Sequence, residues 1–257
     1  MNIKKFIYFI LPVLSILTIV MFFFVMSSQE GSMIPSPPEI ARKFISMMTI
    51  PISRATLEVH VWVSLKRVLS AFFVAIGLGI ALGVALGWST TFNNLVSPVF
   101  EVLRPIPPIA WIPMAILWFG LGEMSKIFIV FVGAFIPIVI NTHSGINMTD
   151  PLLINAGKVI GANRRQLLIN VVFPASIPAI LAGIKTALST GWMCVLAAEM
   201  IAARQGVGFL ILNGQEMGDM ALIVVCMFVI GGVSAFLSFS LTQLQGVLCP
   251  WQFKKAK

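Results

Sequence analysis

From Val68 to Phe100 the chain carries no charged residue, and the same holds for 6–29, 127–149 and 220–253. Stretches of this length leave few options. In hydrocarbon, every backbone amide must find its partner within the chain, and about 20 consecutive apolar residues then form a helix that crosses a bilayer. Charged residues make up 10% of the 257 residues and apolar residues 58%, with a mean hydropathy of +1.00. Soluble domains carry about 25% charged residues. The chain therefore reads as an all-α polytopic membrane protein. Its net charge of +8 fits loops facing an anionic leaflet. No basic run interleaved with aromatics points to nucleic acid.

Hydropathy places about six transmembrane helices, at 6–26, 61–88, 95–119, 125–145, 179–200 and 221–248. The first is read as a retained span, because its apolar run is too long for a signal peptide and no small-residue cleavage site follows. A short amphipathic helix is expected at 39–49, turns at 89–94 and 120–123, a long polar loop at 147–178, and a Gly-rich connection at 204–219, re-entrant or on the surface. Six spans put both termini on one side. With that side cytoplasmic, it holds Lys4, Lys5, Lys158, Arg164, Arg165, Lys254, Lys255 and Lys257. The other holds Arg42, Lys43, Arg54, Lys126 and Arg204, in the direction of the positive-inside rule.

The 147–178 loop has internal order. Pro151 to Ile160 can form one short helix. Gly161 ends it, since glycine takes the left-handed conformation at little cost. Asn163 then caps a second helix to about Asn170, and Pro174 and Pro178 are expected to stop it and begin the next span. Two short helices at an angle make a knob that fits a partner's groove, with Arg164 and Arg165 available to acids there. An ordinary charged loop is the plainer reading of the spacing alone.

Elsewhere, Gly79, Gly83 and Gly87 recur every four residues, a spacing that lets membrane helices approach closely. Pro105, Pro107, Pro108 and Pro113 interrupt the third span, either for shape or to make a bendable helix along a path. Glu101 and Arg104 share a helix face and read as an ion pair. Arg67 and Glu199 lie at or within spans, where charge is costly and points to function or to a structural pair. Cys194, Cys226 and Cys249 have no metal spacing and read as packing residues, and His60 and His143 have no matching partners. No Gly-xxxx-Gly-Lys-Ser/Thr phosphate loop and no nucleophile–base arrangement occurs. No catalytic or metal site is assigned, and no cofactor is expected in this chain.

Asn155-Ala156-Gly157-Lys158-Val159-Ile160-Gly161, continuing through Gly161-Ala162-Asn163-Arg164-Arg165-Gln166-Leu167 to Phe173-Pro174-Ala175-Ser176-Ile177-Pro178, resembles the Glu-Ala-Ala-xxx-Gly loop of ABC importer permeases. Asn155 stands where that pattern has glutamate, and Gly157 where it has its second alanine. Ser64-Leu65-Lys66-Arg67-Val68-Leu69, Arg104-Pro105-Ile106-Pro107-Pro108 through Pro113, Trp118-Phe119-Gly120-Leu121-Gly122, and Ala198-Glu199-Met200-Ile201 followed by Gly206-Val207-Gly208 are similar to the branch that imports nitrate, taurine and aliphatic sulfonates. The resemblance covers 60–246. It implies a type I ABC importer permease core at 60–248, preceded by an anchor, periplasmic segment and short helix at 1–59 and followed by a basic cytoplasmic tail at 249–257. It implies a multi-pass protein of the bacterial inner membrane with both termini cytoplasmic. Its implied partners are two ATPase subunits holding ATP and magnesium, a second, identical permease, and a periplasmic or lipid-anchored binding protein. The coupling loop is then Asn155, Ala156, Gly157, Lys158, Gly161, Arg164, Arg165 and Pro174. Path or gate candidates are Arg104, Pro107, Trp192, Met193, Glu199 and Met200, several of which suit a core equally well. An alkanesulfonate, taurine or nitrate is the expected cargo. Alternatives are a thiamine precursor or other small solute on the same machinery, or an ion-driven secondary transporter. The latter calls for an internal repeat and acids in corresponding halves, and neither is seen.

Overall fold

A computed structural model describes residues 3–27 and 34–250. Residues 251–257, with Lys254, Lys255 and Lys257 of the tail, lie outside the described residues. The described chain is helical: α1 (Ile3–Ser27), α2 (Pro37–Thr49), α3 (Leu57–Trp88), α4 (Thr90–Leu103), a 3-10 turn (Pro108–Trp111), α5 (Ile112–Phe119), α6 (Glu123–Asn147), α7 (Pro151–Val159), α8 (Arg164–Leu167), a π turn (Leu168–Val172), α9 (Phe173–Ala202), α10 (Val207–Met217) and α11 (Met220–Leu248).

Among the described residues, α3, α6, α8 continued through the π turn into α9, and α11 are each long and apolar enough to cross a membrane. The expected first span is covered by α1, with 25 residues. The third is not a straight helix. Its halves, Thr90–Leu103 and Pro108–Phe119, meet at 87°. Pro105, Pro107 and Pro108 supply no amide proton across the break, and Pro107 is driven to an extended ψ of 134° by the proline after it. Pro113 causes no break, because it sits in the first turn of α5, where the amide has no partner to lose.

The other departure concerns Pro174 and Pro178. They were expected to separate the loop's second helix from the fifth span. Instead the chain stays helical from Arg164 to Ala202. The π turn shifts the hydrogen-bond register, with Phe173 N–H reaching the Leu168 carbonyl, so Pro174 falls in the first turn of α9.

The core is a triad in which α6 packs between α3 and α9. Val68, Ala71 and Ala75 of α3, Val130, Ala134 and Ile138 of α6, and Ala187, Val195 and Ala198 of α9 are buried in one cluster. The glycine row acts as the spacing suggests. A Cβ at Gly79 would lie 2.8 Å from Ile138, at Gly83 2.5 Å from Thr142, and at Gly87 2.6 Å from Ile146. Two four-residue rows thus interlock over about two turns in the C-terminal parts of α3 and α6. Gly133, Gly145 and Gly183 serve the α6–α9 contact in the same way, against Cys194, Ala179 and Asn141.

Beside this triad, α10 and α11 form a smaller unit with α2. Met47 of α2 is buried among Leu57, Leu210 and Leu222, and Lys43 pairs with Asp219 at the start of α11. Burial opposes the Asp219 charge, but the Lys43 ammonium and the Leu222 and Ala221 amides outweigh it, so this carboxyl titrates below its ordinary range. The 204–219 connection contains an 11-residue helix, α10, between left-handed glycines Gly206 and Gly218. At about 1.5 Å per residue it is too short to span.

Because the α3–α6 spacing is set by glycine, Gly83→Val should destabilise the protein by about 1–3 kcal/mol through overpacking. A valine at Gly77, whose Cβ would meet nothing within 4 Å, should change stability little. Thermal unfolding of the two variants in detergent checks the contrast.

Candidate functional site

Glu123 and Asn147 mark opposite ends of α6, about 36 Å apart at 1.5 Å per residue. Each end carries a polar structure.

At the Glu123 end, one face of α3 presents His60, Ser64 and Arg67 over about two turns, all buried. Glu199 reaches them from α9 and has no solvent exposure. Its carboxylate accepts from Arg67 Nη1 at 2.7 Å, from Ser64 Oγ at 2.8 and 2.9 Å, and from the Gly208 amide at 2.9 Å. Arg67 also donates to the Gln205 carbonyl and, through Nε and Nη2, to both oxygens of Glu123 at 2.6 and 2.7 Å. Lys126 adds a bond to Glu123 at 3.1 Å.

The loop after α9 closes over this pair. Gly206 has φ +129°, and a Cβ there would lie 2.4 Å from the Glu199 carboxylate. A Cβ on Gly208 would lie 2.5 Å from the Leu196 carbonyl. That is why glycines flank Val207. The Val207 amide donates to Ser64 Oγ and the Gly206 amide to His60 Nδ1. His60 Nε2 is left to donate to the Ile52 carbonyl, 3.1 Å away. Charge transferred from water to hydrocarbon is tolerated when paired and fully hydrogen-bonded, and Glu199 meets that condition.

At the Asn147 end stands the knob. The Asp150 carboxylate caps α7 through the Leu152 amide. The helix closes with paired bonds, Gly161 N–H to the Lys158 carbonyl and Ala162 N–H to the Gly157 carbonyl, with Gly161 at φ +87°. Asn163 then caps α8 reciprocally with Gln166. Gly157 faces the buried Leu167, whose methyl would lie 2.6 Å from an added Cβ, so an alanine there would require Leu167 to shift. Arg164 ties the knob to the end of α3, donating to the Trp88 carbonyl at 3.0 Å and lying over the Trp88 ring. Asn155, Ala156, Lys158, Gly161 and Arg165 are exposed and Pro174 is partly buried. Leu152, Leu153, Val159 and Ile160 present their side chains to solvent, the last two more than 85% exposed.

The path candidates are dispersed. Arg104 caps α4 and pairs with Glu101 at 3.1 Å in an exposed position. Pro107 lies at the 87° bend. Met193 is exposed, on a stripe of α9 with Thr186 and Ser189, and Met200 is half-buried. Trp192 is buried in the core, its indole N–H without a partner among the described residues.

Arg67 and Glu199 were recognisable one by one as charges within spans. Their pairing, and the parts played by Ser64, Glu123 and Lys126, were not. The available signal was two opposite intramembrane charges, one toward the N-terminus of α3 and one near the C-terminus of α9, which antiparallel helices bring to one side.

Residues 75–254 match the family described as binding-protein-dependent transport system inner membrane component. A putative ABC transporter permease of Methanocaldococcus jannaschii is 44% identical over 74% of this chain and 72% of its own length. The taurine transport system permease of Escherichia coli is 34% identical over 85% and 80%. The nitrate import permease of Synechocystis is 31% identical over 95% and 90%. Among solved structures, an inward-facing methionine ABC transporter aligns with a TM-score of 0.65 and 19% identity, over 73% of this chain and 93% of its own. The fold is the same.

The Arg67–Glu199 pair should be structurally dominant. Glu199→Leu leaves the buried guanidinium with only the largely exposed Glu123 as counter-charge and should cost about 3–5 kcal/mol, whereas Arg67→Met with Glu199→Leu should recover a large part of it. A double-mutant cycle on thermal unfolding measures the coupling.

Proposed function

This chain belongs to the binding-protein-dependent transport system inner membrane components, and on that premise we propose that its 150–172 knob couples it to an ATPase subunit. The chain is the membrane-spanning permease of an ABC importer. The single observation that carries the coupling reading is the knob itself. Two capped helices, locked by Gly161 and anchored by Arg164, hold Leu152, Leu153, Val159 and Ile160 exposed at one end of the bundle. An apolar patch at a charged rim suits a groove on a partner. Lys158 and Arg165 stand beside it for acidic groups.

In this reading ATP and magnesium are held by two ATPase subunits, since this chain has no phosphate loop of its own, and it performs no catalysis itself. Two copies of the permease enclose one path. A binding protein delivers cargo at the Glu123 end, which faces outward, and the knob and both termini are cytoplasmic. Closure of the ATPases draws the knobs together and reverses access, with the bend at Pro105–Pro108 yielding. The cargo is a small solute with an oxyanion group. Relatives named for taurine, nitrate and aliphatic sulfonates support that class.

The direct test is ATP hydrolysis by the complex purified in lipid, with binding proteins loaded with taurine, an alkanesulfonate or nitrate. Stimulation by one of them is expected, and failure of any ATPase to co-purify would remove the coupling role. Within that complex, Gly161→Val meets no steric clash but forces a β-branched residue to positive φ, at about 1–3 kcal/mol. Uptake should fall at least tenfold with membrane insertion unchanged, and near-normal uptake would count against the knob.

A further inference from the structure

The two carboxylates on Arg67 differ in kind. Glu199 is fully buried and held by three donor groups. Glu123 is the first residue of α6, its side chain is 59% exposed, and its polar contacts are with Arg67 and Lys126. The cations it serves are the reverse, each with a side chain only 5% exposed. One carboxylate that stands largely in water thus serves two buried cations, beside Glu199 for Arg67 and as the ion-pair partner of Lys126.

The charge balance follows. Arg67 and Lys126 are matched by Glu199 and Glu123. If Glu123 rotates outward, the cluster keeps one uncompensated positive charge under little solvent. A buried unpaired cation is costly, so the position calls for another anion. The donors define its shape. Nε and Nη2 of Arg67 take two oxygens of one centre, the fork geometry of carboxylates and other planar or tetrahedral oxyanions. Lys126 adds a point charge to the same oxygen that Nη2 holds. Space is present as well. A cavity of about 480 Å³ lies against these groups, with Gly122, Arg204 and Gln205 among its walls. No side chain caps the α6 N-terminus at Gly122, which leaves the positive end of that helix beside the cavity.

We propose that Arg67 and Lys126 form an oxyanion-receiving site at this end of the permease. The Glu123 carboxylate occupies it in the empty protein, and the oxyanion head of a small cargo replaces Glu123 during transfer. The site deepens the importer reading and rests on it for the direction of transfer. Its chemistry can be tested without transport.

The experiment measures binding of radiolabelled ethanesulfonate and of nitrate to the whole complex in nanodiscs, at constant ionic strength with chloride as the balancing anion. Glu123→Gln removes the internal competitor and should bind at least one of these anions at least tenfold tighter than the wild type. Adding Lys126→Gln to it should reverse most of that gain. Equal affinity in wild type and Glu123→Gln, insensitivity to Lys126→Gln, or equal competition by chloride would each overturn the site. If Glu123→Gln is not recovered from the membrane, Lys126→Gln alone keeps the Arg67–Glu123 fork. It should raise the KM for ethanesulfonate uptake, or for nitrate where that is the anion carried, at least fivefold with kcat unchanged. An unchanged KM rejects the proposal. Co-purification of the ATPase, followed in the same preparations, separates the two readings: an associated ATPase with unaltered anion affinity rejects only this site, and an altered affinity without an ATPase rejects only the importer.

Discussion

Close approach of α3 and α9 to α6 is the contact on which the other features rest. Lipid tails are as apolar as leucine, so burial from water does not drive these helices together. Packing and polar contacts must do it. The Gly79–Gly83–Gly87 row against Ile138, Thr142 and Ile146 brings two backbones within reach over about two turns. Gly133, Gly145 and Gly183 do the same toward α9. Only with those spacings fixed do residues far apart in sequence meet.

The Arg67–Glu199 pair is the polar counterpart. It joins α3 to α9 directly, recruits Glu123 from α6, and organises the loop after α9 through the Gly206, Val207 and Gly208 amides. One ion pair therefore fixes three spans and the entry to α10. A well-packed apolar substitute would serve stability alone equally well. What an apolar substitute would not supply is a cationic fork beside a cavity, with one exposed and exchangeable carboxylate.

The opposite end of the bundle shows a division of labour between rigidity and exposure. Caps at Asp150, Gly161 and Asn163 satisfy the knob's helix ends internally, and Arg164 and Leu167 bind it to the bundle. Its apolar residues are then free to face outward. The knob's second helix is continuous with α9 as far as Glu199, because the π turn at Leu168–Val172 keeps helical continuity across Pro174.

Much of this was legible in the chain. The charge-free stretches specify membrane helices, since lipid leaves the backbone no other solution. The loop's caps and breaker are local, and Asn163, Gly161 and Pro151 specify the two helices of the knob by short-range chemistry. The four-residue glycine spacing marked a contact face, though not its partner. What the tertiary structure decided lies at longer range. It turned the third span through 87° at Pro105–Pro108, where prolines permit a break but do not set its angle. It carried α9 through Pro174, because a π turn absorbs a missing donor in a way no residue pattern announced. It paired Arg67 with Glu199 across 132 positions of sequence and put Glu123 and Lys126 beside them. Caps and periodicity act over one or two turns and can be read in order along a chain. An ion pair between helices depends on the rotation and depth of each, and these exist only once the helices have packed.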